Sequence, residues 1–100
     1  VKVRLTETAR AELRAIGDWI AQDSPERAAS FTMELLERAL ALAVFPAAYP
    51  LLEAFAHRGI RRCAFGKYLI LYRIMAPDIE VLHFIHGARD VAALLGSEPL

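Results

Sequence analysis

Seven residues in the second half of the chain have side chains able to handle a phosphodiester: Arg61, Arg62, Lys67, Arg73, His83, His86 and Arg89. Cutting RNA without a metal needs a base for the 2′-hydroxyl, an acid for the leaving oxygen and cations to meet the charge of the phosphorane. Histidines suit the first two tasks and arginines the third. Between Ala54 and Pro77 there are five basic residues and no acid, so this stretch carries a local positive field. Two features oppose cleavage. Twelve basic residues balance twelve acidic ones over the whole chain, leaving no long-range attraction for a nucleic-acid backbone. No acid stands among the cations to tune a histidine as a base.

Each residue also has a plainer use. Under strict strand alternation His83 shares a face with Val81 and Ile85, which favours a hydrogen-bonded core histidine. His86 ends the same strand, where its ring either holds the following turn against the sheet or meets a partner. Arg89 and Asp90 suit a local pair, with Asp90 capping a helix. Arg61 and Arg62 point to opposite faces, so at most one joins a given surface patch. Arg73 sits on an otherwise apolar strand, and its charge must reach water or an acid such as Glu80 on the neighbouring strand. Cys63 is the only cysteine and forms no internal disulfide. It reads as a small core residue, and no Cys/His spacing suggests zinc.

The elements that position these groups are legible from periodicity. Val1 to Leu5 alternates apolar and charged residues, the pattern of a short half-buried strand. Thr6 then fits an N-cap with Glu7 in the first turn, and Ala9, Leu13, Ile16 and Ile20 form one helical face with Trp19 beside it. Ser24-Pro25-Glu26 starts a second helix. There Ala28, Phe31, Leu35, Ala39 and Leu42 form one stripe, and Leu36, Leu40 and Ala43 widen it, which predicts contact on two sides. This helix is expected to end near Phe45-Pro46. Only Gln22 and Asp23 separate the two helices, so they should pack as an antiparallel hairpin.

Pro46 to Arg58 reads as a long apolar loop. Three strands follow: Ile60 to Phe65, Tyr68 to Met75 and Ile79 to His86, joined at Gly66-Lys67 and at Ala76-Pro77-Asp78. A short C-terminal helix is expected over Val91 to Leu95, with Gly96 as its stop. The fold class is therefore α+β, with an N-terminal strand, a two-helix hairpin, then a three-stranded antiparallel meander forming one sheet. At 100 residues, 56% of them hydrophobic and 24% charged, the chain reads as a single globular domain spanning residues 1–100. Ala39 to Leu52 is the longest uncharged run. It is too short to span a bilayer and contains two prolines. With one cysteine and no charged-then-apolar leader, the expected location is the cytoplasm.

The order of elements and several local phrases resemble the ParE toxins of the ParE/RelE toxin–antitoxin superfamily, the plasmid stabilisation proteins. The resemblance runs through Leu5-Thr6, Asp18-Trp19-Ile20-Ala21, Asp23-Ser24-Pro25, Ala28-Ala29 and Phe45-Pro46. It continues through Gly59-Ile60-Arg61-Arg62, Tyr68 to Arg73 and His86-Gly87-Ala88-Arg89-Asp90. It implies an antiparallel sheet with the hairpin across one face, and a ParD-like antitoxin that wraps a disordered segment around the toxin. It also implies DNA gyrase as the target, operator DNA contacted only through the antitoxin, and a toxin with no cofactor, metal or catalytic residue of its own. The alternative within the superfamily is a RelE-type, ribosome-dependent messenger-RNA endoribonuclease using His83, His86 and the sheet arginines. The residues expected to meet a partner are Leu36, Leu40, Ala43, Arg61, Arg73, His86 and Arg89.

Overall fold

The computed structural model of the chain describes residues 1–87, 91 and 93. The elements run β1 (Val3–Leu5), α1 (Glu7–Ala21), α2 (Pro25–Ala41), a 3-10 helix (Glu53–Arg58), β2 (Arg61–Phe65), β3 (Tyr68–Met75) and β4 (Asp78–His86). The helix expected over Val91 to Leu95 lies outside the described residues apart from Val91 and Ala93, as do its Asp90 cap and Arg89. Both helix starts follow their caps. Thr6 Oγ1 accepts from the Ala9 N–H at 3.0 Å, and Ser24 Oγ accepts from the Arg27 N–H at 3.2 Å. The helical part of α2 stops at Ala41, short of Phe45-Pro46. Beyond it the N–H groups of Leu42, Ala43 and Val44 donate to Ala39, Leu40 and Ala41. This is the tighter i−3 pattern that often finishes a helix.

The sheet has the order β1-β4-β3-β2. β2, β3 and β4 form the expected antiparallel meander, with the Phe65↔Tyr68 pair closing on Gly66-Lys67. Gly66 takes φ 59°, a left-handed conformation that glycine adopts without strain. The sheet is nevertheless mixed, because β1 runs parallel to β4 with Val3↔Ile79 and Leu5↔Val81 in register. A parallel neighbour requires a long crossover, and here everything from α1 to β3 lies between the two strands.

β3 is the central strand, with Ile70, Leu71 and Tyr72 buried in succession, so both faces of the sheet are covered. On one face Ile70 and Tyr72 join Ile16, Leu35 and Ala39 of the helices, together with Cys63, Val81 and Phe84. On the other, Leu71 and Ile85 pack with Leu52 and Ile60, with Phe55 against them. The segment after α2 is thus a lid on the second face. Leu52 N–H donates to Ile60 O at 2.8 Å and Arg62 N–H to Pro50 O at 3.0 Å, and Gly59 ends the 3-10 helix at φ 72°. Two side chains pin the segment from the helix side. Arg61 donates to Tyr49 O at 2.7 Å, and the buried Tyr72 hydroxyl donates to Pro46 O at 2.6 Å.

A β-bulge sits in β4. Leu71 faces His83 while Tyr72 faces Val81, so Leu82 is an extra residue. The bulge reverses the alternation: Val81 belongs to the helix-side core, whereas Ile85 lies in the opposite core. His83 therefore does not share a face with Val81, contrary to the strict reading.

Burial pushes the Tyr72 phenol above its ordinary value of 10.0, with the Arg61 guanidinium opposing that shift. The unfolded chain then releases the Tyr72 proton more readily than the native one. Stability from this group is present below about pH 10 and is lost as pH rises through the native value. Tyr72→Phe should cost about 1 kcal/mol at neutral pH through the lost Pro46 bond and should flatten the alkaline decline. Urea denaturation at neutral pH and above pH 10 checks both, and an undiminished decline in the variant would assign it to other groups.

Candidate functional site

α2 carries two apolar stripes. Leu35, Ala39 and Leu42 are buried against the sheet, while Met33, Leu36 and Leu40, at spacings of three and four, follow the outward side. Met33 is 58% exposed and Leu40 is 50% exposed, so this second stripe is not used by the chain's own core. It lines a trough between the helices. One cavity of 400 Å³ is lined by Leu13, Gly17, Thr32, Met33 and Leu36, and a second of 380 Å³ by Val3, Leu5, Leu13, Leu36 and Leu40. The two share Leu13, Arg14 and Leu36, and charged side chains stand at the rim: Arg10, Arg14 and Asp18.

Gly17 sets the close approach of the helices here. A Cβ at that position would sit 3.1 Å from Thr32 Cγ2. Thr32 Oγ1 donates to Ala28 O at 3.0 Å, which holds the methyl in place. The trough is therefore an apolar channel rimmed by Arg10, Arg14 and Asp18, a shape suited to the apolar face of a helix.

The seven expected partner residues do not gather on one surface. Leu36 and Leu40 lie in the trough. Ala43 is half-buried in the turn after α2 and does not line it. Arg61 is spent on loop carbonyls, as described above. Arg73 pairs with Glu80, both Nε and the terminal nitrogen lying 2.9 Å from Glu80 Oε1. The cross-strand register Arg73↔Glu80 explains why this acid is the one reached. His86 sits at the far end of β4, its ring edge-on to Tyr68 with centroids 5.7 Å apart. Arg89 lies outside the described residues.

One acid does reach a histidine, and sequence reasoning missed it. Glu12 of α1 places both carboxylate oxygens 3.0 Å from His83 Nδ1, and its Oε1 accepts from the Phe84 N–H at 3.2 Å. The acid comes from a helix and not from among the sheet cations, where the sequence was searched for one. A polar residue three positions after Ala9 and four before Ile16, beside the inward stripe, was the available signal. Its partner, 71 residues away, leaves no local trace. Arg61 and Arg73 do not join this pair: they are engaged elsewhere, on opposite faces of the sheet. Among the described residues no group of three or more His, Cys, Asp or Glu is placed to hold a metal ion, and no helix is long and apolar enough to cross a membrane.

Comparison with known proteins now bears on this geometry. A family model described as "ParE toxin of type II toxin-antitoxin system, parDE" matches residues 3–91. Among solved structures, a chain of the "Chromosomal ParDE TA system from P. aeruginosa" superposes with a TM-score of 0.68. The match is at 20% sequence identity and covers 86% of this chain and 95% of that one, a likeness of fold. No curated protein matches the sequence.

The Gly17–Thr32 contact yields a direct test. Gly→Ala in a helix ordinarily gains about 1 kcal/mol, but here the new Cβ meets a methyl that is held in place. Gly17→Ala alone should leave thermal stability about unchanged, and pairing it with Thr32→Ser should release most of the gain. A full gain from the single variant would show that the helices give way freely.

Proposed function

The chain belongs to the ParE toxin family of type II toxin–antitoxin systems, and from that premise we propose that it acts by binding a protein target, without breaking a bond. In this reading the target is DNA gyrase, and a ParD-like antitoxin neutralises the toxin in the cytoplasm. Operator DNA is met only through the antitoxin. The observation that carries the reading is the family match over residues 3–91. The trough supports it, because it offers an exposed apolar channel that the chain's own core leaves uncovered.

The antitoxin lays the apolar side of an amphipathic helix over Leu36 and Leu40, with acidic residues facing Arg10 and Arg14. Ala43, Arg61, Arg73, His86 and Arg89 complete the proposed partner contacts. Arg61 and Arg73 contribute through the loop and the β3–β4 pairing they hold, since their guanidinium groups are already engaged.

The Glu12–His83 contact is the one observation favouring the alternative, a RelE-type endoribonuclease, because a carboxylate-supported histidine is a usual general base. Against it stand the zero formal charge of the chain and the separation of Arg61 and Arg73 from that pair.

Expression of the chain alone should arrest growth, and co-expression with the ParD-like antitoxin should restore it. Healthy cells accumulating soluble folded chain alone would count against a toxin. Leu36→Glu should keep the fold, since the residue lies in the trough, and should weaken antitoxin binding at least tenfold by calorimetry. Purified chain should inhibit gyrase supercoiling. Untouched supercoiling at saturation would remove gyrase as the target and leave family membership standing. Primer extension on translated messages should show no new ends; ends that vanish with His83→Ala would instead establish the nuclease.

A further inference from the structure

We propose that the cleft between α1 and the last residues of β4 is a binding site for an arginine side chain of a protein partner. The site is separate from the trough and does not depend on which protein is the target. It exists because β1 leaves β4 at Val81, so that α1 alone crosses the residues beyond. Glu12, Ala15 and Trp19, at i, i+3 and i+7, lie along one side of α1. They face Tyr68 and His86 across a cavity of 260 Å³.

The chemistry of the lining selects a cation. Trp19 is 64% exposed, an unusual position for so large an aromatic surface. Tyr68 and His86 stand edge-to-face beside it, with ring planes 76° apart. Indole and phenol faces attract positive charge. Among the described residues Glu12 is the one carboxylate in the lining, and no Lys or Arg lines it. Its orientation is fixed by the Phe84 N–H and His83. A carboxylate offers about four acceptor positions, so capacity for further donors remains.

Size and shape narrow the cation to one side chain. The volume lies below the roughly 300–1,000 Å³ of sites that enclose small-molecule ligands, and suits one long side chain. A guanidinium is flat enough to lie on Trp19 and still direct N–H donors at Glu12, which a compact ammonium does less well. The carboxylate repels phosphate, which excludes a nucleic-acid strand as the occupant.

Trp19 is the only tryptophan, so its fluorescence reports on the cleft directly. Purified full chain titrated with Nα-acetyl-arginine amide should show a saturable change with a millimolar midpoint. The uncharged isostere Nα-acetyl-citrulline amide should bind at least tenfold more weakly, and Glu12→Gln should weaken the arginine probe to a similar degree. Because Glu12 also ties α1 to β4, a second variant guards against misfolding. Ala15→Phe, at an exposed helical position, fills the cleft without entering the core and should abolish the response. An equal response to citrulline, a signal that never saturates, or an undiminished response in Ala15→Phe would overturn the proposal. So would absence of any response.

Discussion

β1 is three residues long, and its parallel pairing with β4 ends at Val81. Most of the remaining architecture follows from that limit. β4 continues for five residues past its partner, and backbone groups on that edge cannot be left buried without hydrogen bonds. The start of α1 supplies them. Thr6 N–H donates to Val81 O, Thr6 Oγ1 donates to Leu82 O, and Glu12 accepts from the Phe84 N–H. Thr6 therefore serves twice, as helix cap and as continuation of the sheet edge. Glu12 is an acid on a largely inward helix face because it replaces a missing strand, and its contact with His83 comes with that position.

The same economy decides what the basic residues are free to do. A stretch with five cations and no acid looks, as a string, like a surface for phosphate. In three dimensions Arg61 faces the helix side and holds loop carbonyls, while Arg73 lies on the other face against Glu80. Arg27 and Arg38 cover the rings of Phe31 and Phe65, at 5.1 and 5.2 Å from the centroids. A cation committed to a carbonyl, a carboxylate or a ring costs something to recruit for other work, so Arg61 and Arg73 are withdrawn from the chemistry that composition suggests. The largest open surface described on the helices is apolar: the second stripe of α2 and the channel it lines.

The parts of this design that were legible in the sequence are local. Ser24-Pro25-Glu26 and Thr6 mark helix starts through bonds made within three residues, and Gly66-Lys67 marks a turn through a positive φ. The two-stripe pattern of α2 is also local, and Leu36 and Leu40 emerged from it as surface candidates. Non-local choices were not legible. Whether β1 runs with or against β4 depends on a crossover of more than 70 residues. One inserted residue, Leu82, was enough to move His83 away from the face of Val81, since a period-2 pattern carries no memory across a bulge. Pro46 to Arg58 read only as a long apolar loop, yet Leu52 and Phe55 cover the chain's own sheet. Arg61 looked like a free cation because the carbonyls it holds belong to a segment without periodic structure.

The pairing of Val3 with Ile79 has a consequence for how the molecule is made. During synthesis the first strand leaves the ribosome long before its neighbour has been translated, and it must wait with the helical hairpin while the meander is added. Closure of the sheet, and with it the contacts of Thr6 and Glu12, becomes available only once β4 has been made. Nascent chains therefore spend most of their lifetime incomplete. A truncated product released early lacks the strand that organises α1, and is a substrate for proteases before it can act on anything.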